Sequence, residues 1–391
     1  MFTFDHRLLT HLTERKARGL YRIRRAKETA QGPEIGIEGR RYLNFSSNDY
    51  LGLTDHPRLK QALQRGLERY GLGSSASHLI SGYSRSHQCL EEELAAFVQR
   101  PRALVFSTGY MANLGVVNAL AGRGDTLIED RLNHASLIDA TVLSRARLKR
   151  YPHVDVEALA RLLPTVNHGQ AYVLTEGIFS MDGDLAPLPA IASVCRHHNA
   201  VLMVDDAHGF GVLGLSGEGS LGHFGLGLEE VPVLMGTFGK ALGVFGAFVA
   251  GSEALIETLI QKARSYIYTT ALPPALAEAI REAVAIVRTE RWRCERLGEL
   301  IRYFKEGARL LGLSLKPSDT AIQPVILGDT AAVLHAARQL EAQGVYVAPI
   351  RPPTVPRGTA RLRISLTAAH THDQIDRLLE ALSRRSFESP F

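Results

Sequence analysis

Cysteine is scarce. The chain holds three, Cys89, Cys195 and Cys294, in 391 residues, with no CxxC pair. A disulfide framework or a zinc cage needs more thiols at closer spacing. This usage predicts a reducing, cytoplasmic setting and no metal site. The start of the chain, Met1-Phe-Thr-Phe-Asp-His, lacks the apolar region of a secretory signal. Uninterrupted apolar runs are lacking too. The nearest candidate for a membrane span, 231–250, is broken by Pro232 and by glycines 236, 239, 243 and 246, and it carries Lys240. A lysine near the centre of a spanning helix costs about 2.5–3.5 kcal/mol. A buried glycine-rich turn is therefore expected, with no membrane partner. No HExxH, GxSxG, internal repeat or low-complexity tract occurs.

Excess charge is also small. The net charge of +5 suits an anionic small molecule and does not require nucleic acid. Seven basic residues cluster at 15–27 (Arg15, Lys16, Arg18, Arg22, Arg24, Arg25 and Lys27), with Asp5, Glu14 and Glu28 around them. They read as a solvated helix face with one or two functional arginines, not as a nucleic-acid arm.

What is present is an ordinary globular composition, 45% hydrophobic and 22% charged. At roughly 150 residues per domain the length suits two to three domains. Residues 1–30 read as a basic helix, and 35–45 as a short strand pair. Apolar runs at 103–106, 126–129, 171–175, 201–204, 231–235 and 247–250 read as strands. Several lack polar alternation, as strands covered on both faces do. Helical stretches such as 90–98, 156–163 and 188–197 lie between them. The expectation is an α/β fold with a central, mostly parallel sheet flanked by helices. After about 285 the texture becomes that of a smaller α+β domain. The expected division is 1–45, 46–285 and 286–391.

Two familiar motifs fail in context. Gly209, Gly211 and Gly214 form a GxGxxG after the strand at 201–204, but the following Leu-Ser-Gly-Glu-Gly-Ser-Leu-Gly cannot hold the helix that a dinucleotide site needs. Gly236-Thr-Phe-Gly239-Lys240-Ala241 lacks the spacing of a phosphate loop and its Ser/Thr after the lysine. The doublet His197–His198 and the pair His370/His372 read as surface or helix-end residues.

Four strand ends carry chemistry together. At 106–113 a strand turns into a helix through Gly109 and Tyr110, and free N–H groups at a helix start suit a phosphate. Near Asn133-His134-Ala135-Ser136, the His134 imidazole offers a face for a flat ring. Asp205 ends an apolar strand, where an unpaired carboxylate is costly; a pyridinium N–H is a natural partner, with His208 nearby. Lys240 sits among apolar residues and glycines, where desolvation favours the neutral amine, a nucleophile that forms Schiff bases. Thr237 adds a hydroxyl. Phosphate cradle, stacking imidazole, carboxylate and Schiff-base lysine together specify pyridoxal 5′-phosphate.

From 42 to 382 the chain resembles the α-oxoamine synthases, a branch of the fold-type-I pyridoxal-phosphate enzymes. The resemblance rests on NFSSNDYLGL (44–53), LEEELAAF (90–97), HASLIDA (134–140), TEGIFSMDGD (175–184), VDDAHGFGVLG (204–214), TFGKALG (237–243) and RLRISLTAAH (361–370). It implies an aspartate-aminotransferase-like fold and a cofactor bound through Lys240. Asp205 would face the pyridine nitrogen, with His208 and Ser180 near the ring hydroxyl. His134 would stack on the ring, and Gly109, Tyr110 and Thr237 would line the phosphate. Arg363 matches the arginine that clamps the amino-acid carboxylate, and a guanidinium fork suits that task. Arg22 and Thr354 resemble positions contacting the acyl substrate. The family also implies a homodimer with interfacial active sites, where Thr269 or Thr270 would reach the partner's phosphate. The stretch 350–363, IRPPTVPRGTARLR, looks most like the biotin-pathway branch, which joins L-alanine to a pimeloyl thioester of coenzyme A or a carrier protein. Sister synthases that use glycine or serine share the core motifs. Ser75-Ala76-Ser77-His78 departs from the family, which often carries more glycine there.

Overall fold

The computed structural model describes residues 3–383 except residue 314. The chain divides into two compact units. One comprises residues 48–180 and 184–295; the other takes the described residues of 1–47, 181–183 and 296–391.

The first unit is built on seven strands: β1 (Arg102–Phe106), β2 (Thr126–Asp130), β3 (Arg147–Tyr151), β4 (Ala171–Glu176), β5 (Val201–Asp205), β6 (Val233–Thr237) and β7 (Ala247–Gly251). Their order is β1-β7-β6-β5-β4-β2-β3. β7 runs antiparallel to β1 and β6, and the remaining pairs are parallel. β2, β6 and β7 are buried along their whole length, which explains the apolar runs of β6 and β7; β2 buries Glu129 and Asp130 at its end. Leu104, Phe106, Val116, Leu127, Met203 and Val249 belong to one buried cluster.

β3 was not among the expected strands. Its sequence, Arg-Leu-Lys-Arg-Tyr, has no apolar run because it is the sheet's edge and mostly faces solvent. Cationic side chains on an edge also discourage pairing with another chain.

Register places the chemistry. Glu176 pairs with Asp205, and Asp205 with Met235, so the carboxyl ends of β4, β5 and β6 lie in one row. Ligands gather outside such ends in open α/β sheets. The β6–β7 connection carries Lys240. It closes through Phe238 N to Gly246 O (2.9 Å) and Gly243 N to Lys240 O (2.9 Å). No helix starts in the GxGxxG segment; Gly211 and Gly214 there have φ of +86° and +89°.

In the second unit, the N-terminal helix spans Thr3–Ala17 and buries none of its residues. The sequence suggested a helix running to about residue 30. Gly19, at φ +64°, ends it early, as a left-handed glycine after a helix commonly does. Residues 18–33 hold no regular element beyond a bridge from Lys27 to Ile37. Strands Glu34–Ile37 and Arg40–Asn44 pair antiparallel, and Val345–Tyr346 joins Arg40–Asn44 in parallel. A second sheet has Ala360–Ser365 between Ile322–Gly328 and Ala348–Ile350. Arg361 on its central strand is buried against Asp182, at 2.8 Å. Among the described residues, no helix is long and apolar enough to cross a membrane.

Candidate active site

A cavity of about 190 Å³ opens at the carboxyl ends of β4, β5 and β6. Seven residues singled out in the sequence line it together: Gly109, Tyr110, His134, Asp205, His208, Thr237 and Lys240. Asn113, Ser136 and Glu176 line it as well.

Asp205 closes β5, buried, with both oxygens engaged. Oδ1 accepts from Ala207 N (3.0 Å) and Oδ2 from Asn113 Nδ2 (2.8 Å). The adjacent Asp206 is committed elsewhere, accepting from Ser220 N at 2.7 Å and from the Ser220 hydroxyl. Full burial pushes the Asp206 carboxyl up to about 7. Only the first carboxylate of the doublet lines the cavity. His208 Nδ1 lies 2.7 Å from Tyr50 Oη.

His134 caps the helix Ala135–Ser144. Desolvation lowers its pKa and the Lys240 charge adds to this, while Asp205 opposes it. The ring is therefore neutral near pH 7. Glu176, which ends β4, is pushed the other way: burial raises its carboxyl, the Asp205 charge adds, and Lys240 opposes.

Lys240 is half-buried at the cavity, on the β6–β7 connection. Thr237 supports that turn, donating from its hydroxyl to Gly246 O (2.8 Å) and accepting from Gly239 N (3.3 Å). Gly109 and Tyr110, which also line the cavity, begin the helix Gly109–Leu120. Thr108 Oγ1 caps Met111 N at 3.1 Å. The Tyr110 hydroxyl donates to Asp139.

The remaining expected residues lie outside the cavity lining. Ser180 is in the loop after β4; its N–H donates to Glu176 Oε2 at 3.2 Å, one residue from the cavity. Thr269 and Thr270 occupy the loop after the helix Arg264–Ile267. Arg22, Thr354 and Arg363 belong to the other unit. There Arg22 Nη2 donates to Thr354 Oγ1 (3.0 Å), and buried Arg363 donates to Ser365 Oγ (2.7 Å).

Asn113, Ser136, Glu176 and Tyr50 were not singled out from sequence. Glu176 carries the same signal as Asp205, a carboxylate closing an apolar strand. Asn113 is a polar residue in a helix of largely apolar sequence, GYMANLGVVNAL. Tyr50 carries no comparable signal.

The donor set fits pyridoxal 5′-phosphate. A helix start offers N–H groups to a phosphate, a buried carboxylate suits a pyridinium, and an amine suits an aldehyde. Asn113 Oδ1 and Glu176 Oε1 are buried at the cavity without a protein hydrogen-bond partner, which leaves polar capacity for a ligand or water.

Comparison with known proteins agrees. The aminotransferase class I and II family matches residues 40–382. An 8-amino-7-oxononanoate synthase from Thioalkalivibrio sulfidiphilus is 58% identical over 378 residues, covering 96% of each chain. One from Methylococcus capsulatus is 59% identical over 381 residues, covering 97% of this chain and 98% of the relative. Among solved structures, a serine palmitoyltransferase from S. paucimobilis, bearing a PLP–myriocin adduct, superposes with a TM-score of 0.91 at 32% identity, covering 96% of each chain. The fold is that of the fold-type-I pyridoxal-phosphate enzymes. By full-length identity and by fold, the chain belongs to the aminotransferase class I and II family and, within it, to the 8-amino-7-oxononanoate synthases.

Proposed function

We propose that the chain condenses L-alanine with a pimeloyl thioester, releasing CO₂ and the free thiol carrier, to give 8-amino-7-oxononanoate for biotin synthesis. The observation that carries this reading is the 58–59% identity to synthases of that name over nearly the whole chain. The serine palmitoyltransferase shares the fold at 32% identity, so fold alone does not select the substrate.

Bound pyridoxal phosphate supplies an electron sink for negative charge at the amino-acid Cα. The chain's residues make that sink usable. Asp205, held by Ala207 N and Asn113, would keep a proton on the ring nitrogen. His134 would present its neutral face to the ring, while His208 and Ser180 would serve the ring hydroxyl. The N–H groups of Gly109 and Tyr110, with Thr237, would hold the phosphate. Lys240 Nζ, at the cavity, would hold the cofactor by its aldehyde carbon, and its amine would take the proton from the alanine Cα. Arg363 clamps the alanine carboxylate before that group departs as CO₂, and Arg22 with Thr354 receives the acyl chain. In the same reading the enzyme is a cytoplasmic homodimer with interfacial active sites, where Thr269 or Thr270 reaches the partner's phosphate. The acyl carrier is coenzyme A or a carrier protein.

The test pairs alanine, glycine and serine with pimeloyl, acetyl, succinyl and palmitoyl thioesters and weighs the products. Alanine with pimeloyl thioester is expected to dominate and to give the mass of 8-amino-7-oxononanoate. Faster turnover of glycine or serine would reassign the enzyme to a sister synthase.

A further inference from the structure

One buried amide joins two groups that the proposed chemistry uses separately. Asn113 has no exposed surface. Its Nδ2 lies 2.8 Å from Asp205 Oδ2 and 2.8 Å from Ser136 Oγ. Both amide hydrogens are thereby donated, one to the carboxyl and one to the hydroxyl, and Oδ1 has no protein partner. Ser136 Oγ, accepting one of them, lies 2.8 Å from His134 Nδ1 and has its own proton to give there. Ser136 N–H also points at His134 Nδ1, at 3.3 Å. Nδ1 is thus an acceptor and the ring proton sits on Nε2.

We infer that Asn113 is a positioning residue: through the chain Asp205–Asn113–Ser136–His134 it fixes the carboxylate that meets the ring nitrogen and the tautomer of the imidazole beside it. This rests on the proposed cofactor chemistry for its consequence, but the chain of contacts exists in the protein alone. Without the amide, Asp205 Oδ2 loses a donor and the carboxylate is freer to turn. Ser136 Oγ then loses the partner that commits its proton toward His134. One substitution therefore disturbs two groups 71 residues apart in sequence (134 and 205), neither of which is itself changed.

The experiment compares native protein with Asn113→Ala and Asn113→Asp. In the apoproteins, ¹⁵N spectra of labelled histidine read the His134 tautomer. Native protein is expected to show Nδ1 unprotonated, and both variants a changed His134 nitrogen pattern. With pyridoxal phosphate added, the variants are expected to show an altered cofactor absorption band and a weaker cofactor Kd. kcat should fall on the order of 10²-fold, as for a displaced reacting group, with a smaller change in the alanine KM. Asn113→Asp has nearly native shape and sets a carboxylate against Asp205, so its cofactor affinity should fall further; it carries the test if the alanine variant does not fold. A native His134 pattern, band and Kd in the variants, with only a lower Tm, would overturn the inference and leave Asn113 a packing residue. Native protein that takes up no pyridoxal phosphate would sink the proposed function instead, while the apoprotein spectra still decide the tautomer.

Discussion

Tyr50 Oη stands 2.7 Å from His208 Nδ1, joining the loop after residue 47 to the end of β5. Both residues are buried. The loop is shaped by Asp49, whose carboxylate accepts from Leu53 N (2.8 Å) and Thr54 N (3.2 Å). Tyr50 therefore reaches His208 from a fixed position. Tyr50→Phe keeps the ring and removes the hydroxyl. A hydrogen bond of this kind contributes about 1 kcal/mol, so kcat should fall roughly fivefold to tenfold. Steady-state assay with alanine and pimeloyl thioester checks it; an unchanged kcat would show that His208 needs no such support.

Gly243 holds the turn that carries Lys240. Its φ is +68°, and an added Cβ would lie 2.5 Å from Thr54 N and 2.8 Å from the Leu53 carbonyl carbon. Neighbouring backbone cannot yield as a flexible side chain can. Gly243→Ala should cost on the order of 1–3 kcal/mol and loosen the Lys240 turn. Thermal melting and retention of cofactor on gel filtration test this, and a variant equal to native in both would contradict it.

His153 sits between two carboxylates, with Nδ1 3.0 Å from Asp130 Oδ1 and Nε2 2.9 Å from Asp184 Oδ2. Desolvation works to lower its pKa, but the hydrogen bonds to Asp130 and Asp184 prevail and raise it from 6.5 to about 9. A histidine with a raised folded-state pKa stabilises fully below its unfolded value. That contribution should fade as pH rises from 6.5 through about 9. It is on the order of 2–3 kcal/mol. His153→Gln should narrow the difference in urea midpoint between pH 6 and pH 9.5. An equal pH dependence in both proteins would rule the ion triad out as its source.

The elements most legible in the sequence were those whose environment is one-sided. β5, β6 and β7 are covered on both faces, so their apolar runs announced strands, and their ends announced Asp205 and Lys240. β3 was missed because an edge strand needs no apolar run. The N-terminal helix was read too long because its charged face continues past Gly19, where backbone geometry and not side-chain character ends it. Asn113 and Tyr50 escaped notice because a partner distant in sequence gives each its role. Glu176 was open to the reasoning that found Asp205, and the spacing of β4 and β5 in the sheet explains why: paired strand ends bring both carboxylates to one cavity.

The identity of the amine at position 240 as the cofactor's anchor is tested most directly by borohydride reduction of the native protein supplied with pyridoxal phosphate, followed by peptide mass analysis. The expected result is a pyridoxyl group on the peptide carrying Lys240, absent in Lys240→Ala. An unmodified Lys240 peptide, or the group on another lysine, would contradict it.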